Sequence, residues 1–304
     1  MKSIAVGNRS LIQKYLTDPL VGLIVGILLL VFKILPLPLA RLLGRNLGFI
    51  VGLFMIRRNK IALLNMQFAF PEKTLKERKK ILRGMWRHFG RLGAEIFHIP
   101  RVMKKVHFKG RENVIHFCKK GKGGFLCSAH IGNWELPFAQ YISPDLKLNP
   151  LFRTANNPYL NKMLFKRRDG ILIPKGLAGT RTMIQVLKKG HFISILCDQK
   201  FREGITVPFF GQPAQTANSV ATLALKYDLP IMMARCIYQS DGHYFVEISK
   251  PLELPKDLPR DQAELKIMTH INQIYEKWIR QNPEQWLWIH RRFDKKIYRE
   301  HGIR

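Results

Sequence analysis

Gly123-Gly-Phe-Leu-Cys-Ser-Ala-His130-Ile-Gly-Asn-Trp-Glu135-Leu-Pro137 decides how the chain is read. Two glycines lead into an apolar run, Phe125 to Ala129, of strand length. A histidine, a Gly-Asn turn, a tryptophan and a glutamate follow. Asn133 is a residue type that caps helices, and Pro137 is tolerated in a first helical turn. The stretch therefore predicts a buried strand ending at His130 and a helix starting at Trp134, with Glu135 in its first turn. Along one continuous helix, His130 and Glu135 would lie about 140° apart at 3.6 residues per turn. Only the Gly-Asn turn brings them together. A carboxylate on one imidazole nitrogen fixes the tautomer and leaves the other nitrogen free as a base. The same residues also fit a plainer reading. A histidine at a strand end is commonly a satisfied core residue, and a glutamate in a first turn complements the helix dipole.

The chain has 304 residues, 46% of them hydrophobic, enough to fill a sizeable core. Lys and Arg number 51 against 21 Asp and Glu, a formal net charge of +30. An anionic partner follows from that balance: nucleic acid, an anionic membrane or an acidic protein. The basic pairs are scattered, from Arg57-Arg58 to Arg291-Arg292, with no basic tail and no zinc-finger spacing, which argues against nucleic acid. The four cysteines, Cys118, Cys127, Cys197 and Cys236, form no C-x-x-C pair. Cys127 and Cys197 sit in apolar runs and read as core filler, in a reducing compartment.

Residues 1–40 read as an N-terminal membrane anchor and 41–304 as a catalytic domain. Pro19 to Phe32 carries no charge. A helix over 19–35 spans about 25 Å, just short of a ~30 Å hydrocarbon core, and Lys33 can snorkel to the interface. Leu47 to Ile56 is too short to span and reads as an interfacial or core helix over 42–56. Basic residues flank both stretches, so charge does not fix orientation. Thr74-Leu-Lys-Glu77 is a capping box opening a helix to about Phe97. Strands are expected at 148–153, 171–173 and 191–197, and helices from Asn157 to Gly170, over 180–190 and over 219–227. Ile231–Tyr238 and Tyr244–Ser249 flank Ser240-Asp-Gly-His243, a hairpin signal. A long helix from about Asp261 to Arg280 follows. Strand and helix alternation with a late hairpin gives an α/β fold: a mixed central sheet flanked by helices, with the N-terminal anchor helix.

His130, Arg153 and Asp198 fall at expected strand ends, where sites gather in open α/β sheets. Surface pairing of Arg153 and turn capping by Asp198 are the ordinary alternatives. Val207-Pro-Phe-Phe-Gly211 reads either as core or as the lining of an apolar channel. No metal-ligand cluster is expected, since H-x4-E is not the H-E-x-x-H of a zinc site.

His130-Ile-Gly-Asn-Trp-Glu135 resembles the H-x4-D/E motif of glycerolipid acyltransferases. Phe152-Arg153-x-x-Asn156-Asn157-Pro158, Asp198-Gln199, Val207-Pro-Phe-Phe-Gly211 and Pro283-Glu-Gln-Trp-Leu-Trp-Ile-His-Arg-Arg292 resemble the late lipid A acyltransferases of Gram-negative bacteria. The resemblance covers nearly the whole chain. It implies a glycerol-phosphate-acyltransferase-like fold and an enzyme on the cytoplasmic side of the inner membrane. Such an enzyme moves an acyl chain from acyl carrier protein to a hydroxyl of a lipid A precursor, with no cofactor beyond that donor. His130 would be the general base and Glu135 its orienting partner. Arg153 would hold a phosphate or the oxyanion, and Asn156, Asn157, Asp198 and Gln199 would bind substrate. An acidic carrier, a phosphorylated glycolipid and an anionic leaflet all suit +30, and Arg291 with Arg292 is the expected carrier-docking patch. Related glycolipid or lysophospholipid acyltransferases share the motif. A basic membrane-associated protein without catalysis shares the charge.

Overall fold

The computed structural model describes residues 18–137, 146–151, 173 and 177–303. Arg153, Asn156 and Asn157 lie outside the described residues, as does the helix expected from Asn157 to Gly170.

Two apolar helices open the described chain, α1 (Asp18–Ile34) and α2 (Leu37–Phe54). Pro38 sits at the start of α2, where a missing N–H costs no hydrogen bond. That lets α2 begin at Leu37 rather than near residue 42, and the expected boundary between residues 40 and 41 falls inside it. Among the described residues, α2 is the helix long and apolar enough to cross a membrane. Both helices expose large apolar side chains, among them Leu23, Ile27 and Ile34 on α1 and Leu39, Leu42 and Phe54 on α2. The other side of α2 is fixed to the domain. Gly44, Gly48 and Gly52, one turn apart, face Gly90 and Trp86 of α4 (Leu75–Glu95) so closely that a Cβ at Gly44 would meet Gly90 O at 2.5 Å.

Helix α3 (Ile56–Ala69) links α2 to α4, which starts with the expected capping box: Thr74 and Glu77 exchange side-chain and backbone hydrogen bonds. Short helix α5 (Ile99–Met103) leads into a six-stranded mixed sheet. Its strands are β1 (Val106–Lys109), β2 (Gly124–Ser128), β3 (Leu148–Pro150), β4 (Phe192–Leu196), β7 (Ile231–Tyr238) and β8 (Tyr244–Ile248), in the order β1-β8-β7-β2-β4-β3. β7, β2, β4 and β3 run parallel, and β7 turns back into β8 through the expected hairpin. Between β1 and β2 lies α6 (Arg111–Lys119), and α7 (Leu177–Lys188) precedes β4. After α8 (Ser219–Tyr227) and the β7–β8 hairpin come the long α9 (Arg260–Gln281) and α10 (Lys295–Glu300).

β2 is buried at every position because the sheet is covered on both faces. Phe125 and Cys127 point into a core shared with α3, α4, α8 and α9, and Leu126 points into a second core. Cys127 and Cys197 are fully buried, as read from their apolar surroundings. Val207-Pro-Phe-Phe-Gly211 closes a separate hairpin: Val207 to Phe209 end β5 (Ile205–Phe209), and Phe210-Gly211 turn into β6 (Gln212–Thr216). Phe209 and Phe210 are buried against Trp286, Trp288 and Phe293, so this loop is core rather than channel lining.

Candidate active site

β2 and β4 are parallel neighbours in which Ser128 is opposite Leu196. Two residues further along each strand, the same register sets His130 beside Asp198, in the crevice outside the strands' carboxyl ends. His130 Nδ1 donates to Asp198 Oδ1 at 2.8 Å, and the His130 backbone N–H donates to Oδ2 at 2.9 Å. The Trp286 indole N–H donates to the same Oδ2 at 2.7 Å. Asp198 is buried, while the His130 side chain keeps 19% of its surface. Burial pushes the Asp198 carboxyl up, but the His130 charge and the three hydrogen bonds outweigh it and hold the group below its ordinary value. An ionised Asp198 accepting from Nδ1–H leaves Nε2 with its lone pair outward. There the Gln199 side-chain amide donates weakly at 3.3 Å.

The carboxylate expected at one imidazole nitrogen is that of Glu135; the carboxylate on Nδ1 is that of Asp198. Adjacent parallel strands deliver residue 198 to the imidazole, a pairing that spacing along the sequence does not reveal. Glu135 is half-buried in a run of turns at 134–137 rather than in the expected first helical turn. Asn133 does not cap that turn with its side chain. Its amide donates to the buried Glu95 carboxylate at 3.0 Å.

The loop after His130 is clamped from two sides. Gly132, at φ +58°, bridges to Cys236 in β7, and a Cβ there would collide with the Cys236 carbonyl. Ile131 pairs with Trp286, the Leu287 N–H donates to His130 O, and the Gly132 N–H donates to Gln285 O. Gln285 in turn exchanges two 2.9 Å hydrogen bonds with the Tyr238 backbone. The Pro283-Glu-Gln-Trp286 run therefore holds the His130 loop and supplies a donor to Asp198.

Around the imidazole, the Trp134 ring lies 5.4 Å away and is backed by Phe89. His290 shares the site electrostatically. Burial, with the charges of His130 and Arg58, pushes its pKa down to about 4 against the opposing pull of Asp198, so it is neutral at pH 7. Among the described residues no group of three or more His, Cys, Asp or Glu side chains is placed to hold a metal.

Arg292 is not a docking residue. It is 1% exposed, donating to Gln215 O at 3.0 Å and Thr216 Oγ1 at 2.7 Å, with its guanidinium over the Phe209 ring. Burial pushes its pKa down to about 10, with the Asp198 charge opposing.

The apolar stripe of α4 hides two polar residues that the sequence reading passed over, His88 and Glu95. They fall on the same face as Met85 and Leu92, at three- and four-residue spacing. A charged residue on an apolar stripe was the available signal. Glu95 accepts from Arg41 Nε at 2.7 Å, Asn133 Nδ2 and the Tyr244 hydroxyl at 2.7 Å.

The family model described as bacterial lipid A biosynthesis acyltransferase matches residues 9–295. The chain is 28% identical to the lipid A biosynthesis lauroyltransferase of Escherichia coli K12, over 88% of this chain and 89% of that protein. It is 27% identical to the palmitoleoyltransferase of the same organism, with the same coverage. Its identity to the myristoyltransferase of that organism is 23%, over 80% of this chain and 77% of that protein. Among solved structures, the 1-acyl-sn-glycerophosphate acyltransferase of Thermotoga maritima matches at a TM-score of 0.38 and 15% identity, covering 79% of this chain and 98% of that one.

Proposed function

This chain belongs to the bacterial lipid A biosynthesis acyltransferases, and from that premise we propose that it transfers a fatty acyl group from an acyl carrier protein thioester to a hydroxyl of a lipid A precursor. The observation that carries the mechanism is the Asp198–His130 pair at the ends of β2 and β4. His130 Nε2 takes the proton of the acceptor hydroxyl as its oxygen attacks the thioester carbonyl. The tetrahedral intermediate collapses with cleavage of the C–S bond, and the imidazolium returns its proton to the departing thiolate. Asp198 fixes the reactive tautomer and offsets the positive charge that forms on the ring. A base of this kind contributes roughly 10²–10⁴-fold.

Gln199, lying at the basic nitrogen, is displaced by or hydrogen-bonds the incoming hydroxyl. Glu135, which the family motif pairs with His130, adds a second carboxylate past the Gly132 turn and stabilises the charge building on the ring. Arg153 holds the oxyanion or a substrate phosphate, with Asn156 and Asn157 binding the acceptor. The reaction needs no covalent acyl-enzyme and no cofactor beyond the carrier.

The excess of basic charge and the exposed apolar surface of α1 and α2 support attachment to an anionic leaflet, the cytoplasmic side of the inner membrane. Mass spectrometry of lipid A from cells lacking and then regaining the protein tests the reading. Loss and return of one acyl chain is the expected result, and unchanged lipid A overturns it. Cleavage of acyl carrier protein thioester by purified protein, dependent on the acceptor, tests the donor separately.

A further inference from the structure

A cavity of about 840 Å³ opens where α1 and α2 meet the rest of the chain, and His130 is not among its lining residues. Its wall is unusual in charge. Arg41, Arg45, Arg91, Arg101, Lys104 and Lys105 line it, with no carboxylate among its described lining residues. Ile34 and Leu42, both highly exposed, are among its apolar lining residues. Exposed apolar side chains on two helices beside a cluster of cations match the boundary between acyl chains and headgroups.

Two of the guanidinium groups are fixed and still have donors to spare. Arg41 is held by the Glu95 carboxylate and the Gly242 carbonyl, and its Nη2 is buried without a hydrogen-bond partner. Arg91 stacks on the Tyr238 ring, 3.4 Å from its centroid, and its Nε is likewise buried and unpartnered. Buried donors left unpaired carry a desolvation cost, and a bound anion beside the guanidinium groups offsets it through charge.

Each of these arginines reaches the catalytic loop through one buried side chain. Arg41 binds Glu95, and Glu95 accepts from Asn133. Arg91 Nη2 donates to His88 Nδ1 at 2.5 Å, and His88 Nε2–H donates to Gly132 O at 3.2 Å. Gly132 and Asn133 are the turn that follows His130.

We propose that this cavity binds the phosphate headgroup of an anionic membrane lipid, and that the bound phosphate, through Arg41–Glu95 and Arg91–His88, steadies the Gly132–Asn133 turn beside His130. The arginines are positioning residues, not catalytic ones. The site links seating on the membrane to an ordered catalytic loop. It does not depend on which acyl donor or acceptor the enzyme uses.

The test uses the full chain in neutral detergent, with short-chain phosphatidylglycerol, short-chain phosphatidylcholine and inorganic phosphate as probes. Calorimetry reads binding, and hydrogen exchange reads the amides of residues 131–136. Phosphatidylglycerol is expected to bind and to slow exchange at the turn by about fivefold or more. Phosphatidylcholine and inorganic phosphate are expected to bind more weakly and to leave exchange faster. Arg45→Gln and Lys104→Gln, changes at exposed lining residues, should each weaken phosphatidylglycerol binding about fivefold. Arg91→Gln should abolish the slowed exchange. Equal binding of the two phospholipids overturns the site. Inorganic phosphate acting as well as phosphatidylglycerol overturns the lipid assignment, and binding without any change at 131–136 overturns the link to the loop. Neither readout needs acyl transfer, so both stand apart from the proposed reaction.

Discussion

Asp198 grips His130 twice, with Oδ1 on the ring Nδ1 at 2.8 Å and Oδ2 on the backbone N–H at 2.9 Å. One carboxylate therefore sets both the tautomer of the imidazole and the place of its backbone. The grip is buried and carries a third donor, the Trp286 indole.

Trp286→Phe removes that donor while keeping an aromatic ring against Phe209. Oδ2 keeps the His130 N–H, so the loss is one hydrogen bond to a charged group, about 1.5–3 kcal/mol. The variant should melt earlier by that amount and keep a folded, weaker enzyme. Thermal melts beside acyl-transfer assays check it, and an unchanged melt would show that the indole bond contributes little.

Arg292→Glu should unfold the protein rather than impair carrier docking. The residue is buried against Thr216, the Gln215 carbonyl and Phe209. An uncompensated buried charge costs about 3–5 kcal/mol. Circular dichroism and the yield of soluble protein read the loss. A folded Arg292→Glu variant with a raised KM for acyl carrier protein would restore the docking role.

His88 gives the fold an acid-side dependence. Burial first, then the Arg91 charge, push its pKa down to about 3 against the Gly132 hydrogen bond. The unfolded chain, with an ordinary histidine near 6.5, then binds the proton that the folded chain refuses. Stability rises with pH across that window: it is fully present above about 6.5 and is lost progressively toward 3. Between pH 7 and pH 5 the loss from this residue is about 2 kcal/mol, at 1.36 kcal/mol per pKa unit. His88→Gln can keep both hydrogen bonds without titrating, so denaturant midpoints measured across pH 5–7 should flatten in that variant. Equal slopes in both proteins would assign the dependence elsewhere.

Much of the scaffold was legible because its signals are local. The Thr74–Glu77 box, the apolar run before His130, the Ser219–Tyr227 helix and the Asp241-Gly242 hairpin each follow from neighbours in sequence. The Asp198–His130 pair is different in kind. Its residues lie 68 apart, and only the parallel register of β2 and β4 brings them together. Strand-end placement marked both as site candidates, but not as partners. For the same reason the α4 polar residues escaped notice: His88 and Glu95 gain meaning only when Gly132, Asn133 and Arg41 pack onto them. α2 starts at Leu37, earlier than the 42–56 reading, because a proline in the first turn opens a helix without losing a hydrogen bond.

The central claim is that His130 works as a base under the control of Asp198, and the turnover of Asp198→Asn tests it most directly. An amide in that place favours the other tautomer and cannot offset an imidazolium. With the fold verified by its melt, kcat should fall by roughly 10²–10⁴, as it should in His130→Ala. Because the two residues act as one unit, the double variant should be little worse than the poorer single one. A well-folded Asp198→Asn protein with near-normal kcat, in the same assay that shows His130→Ala to be inactive, would contradict the account.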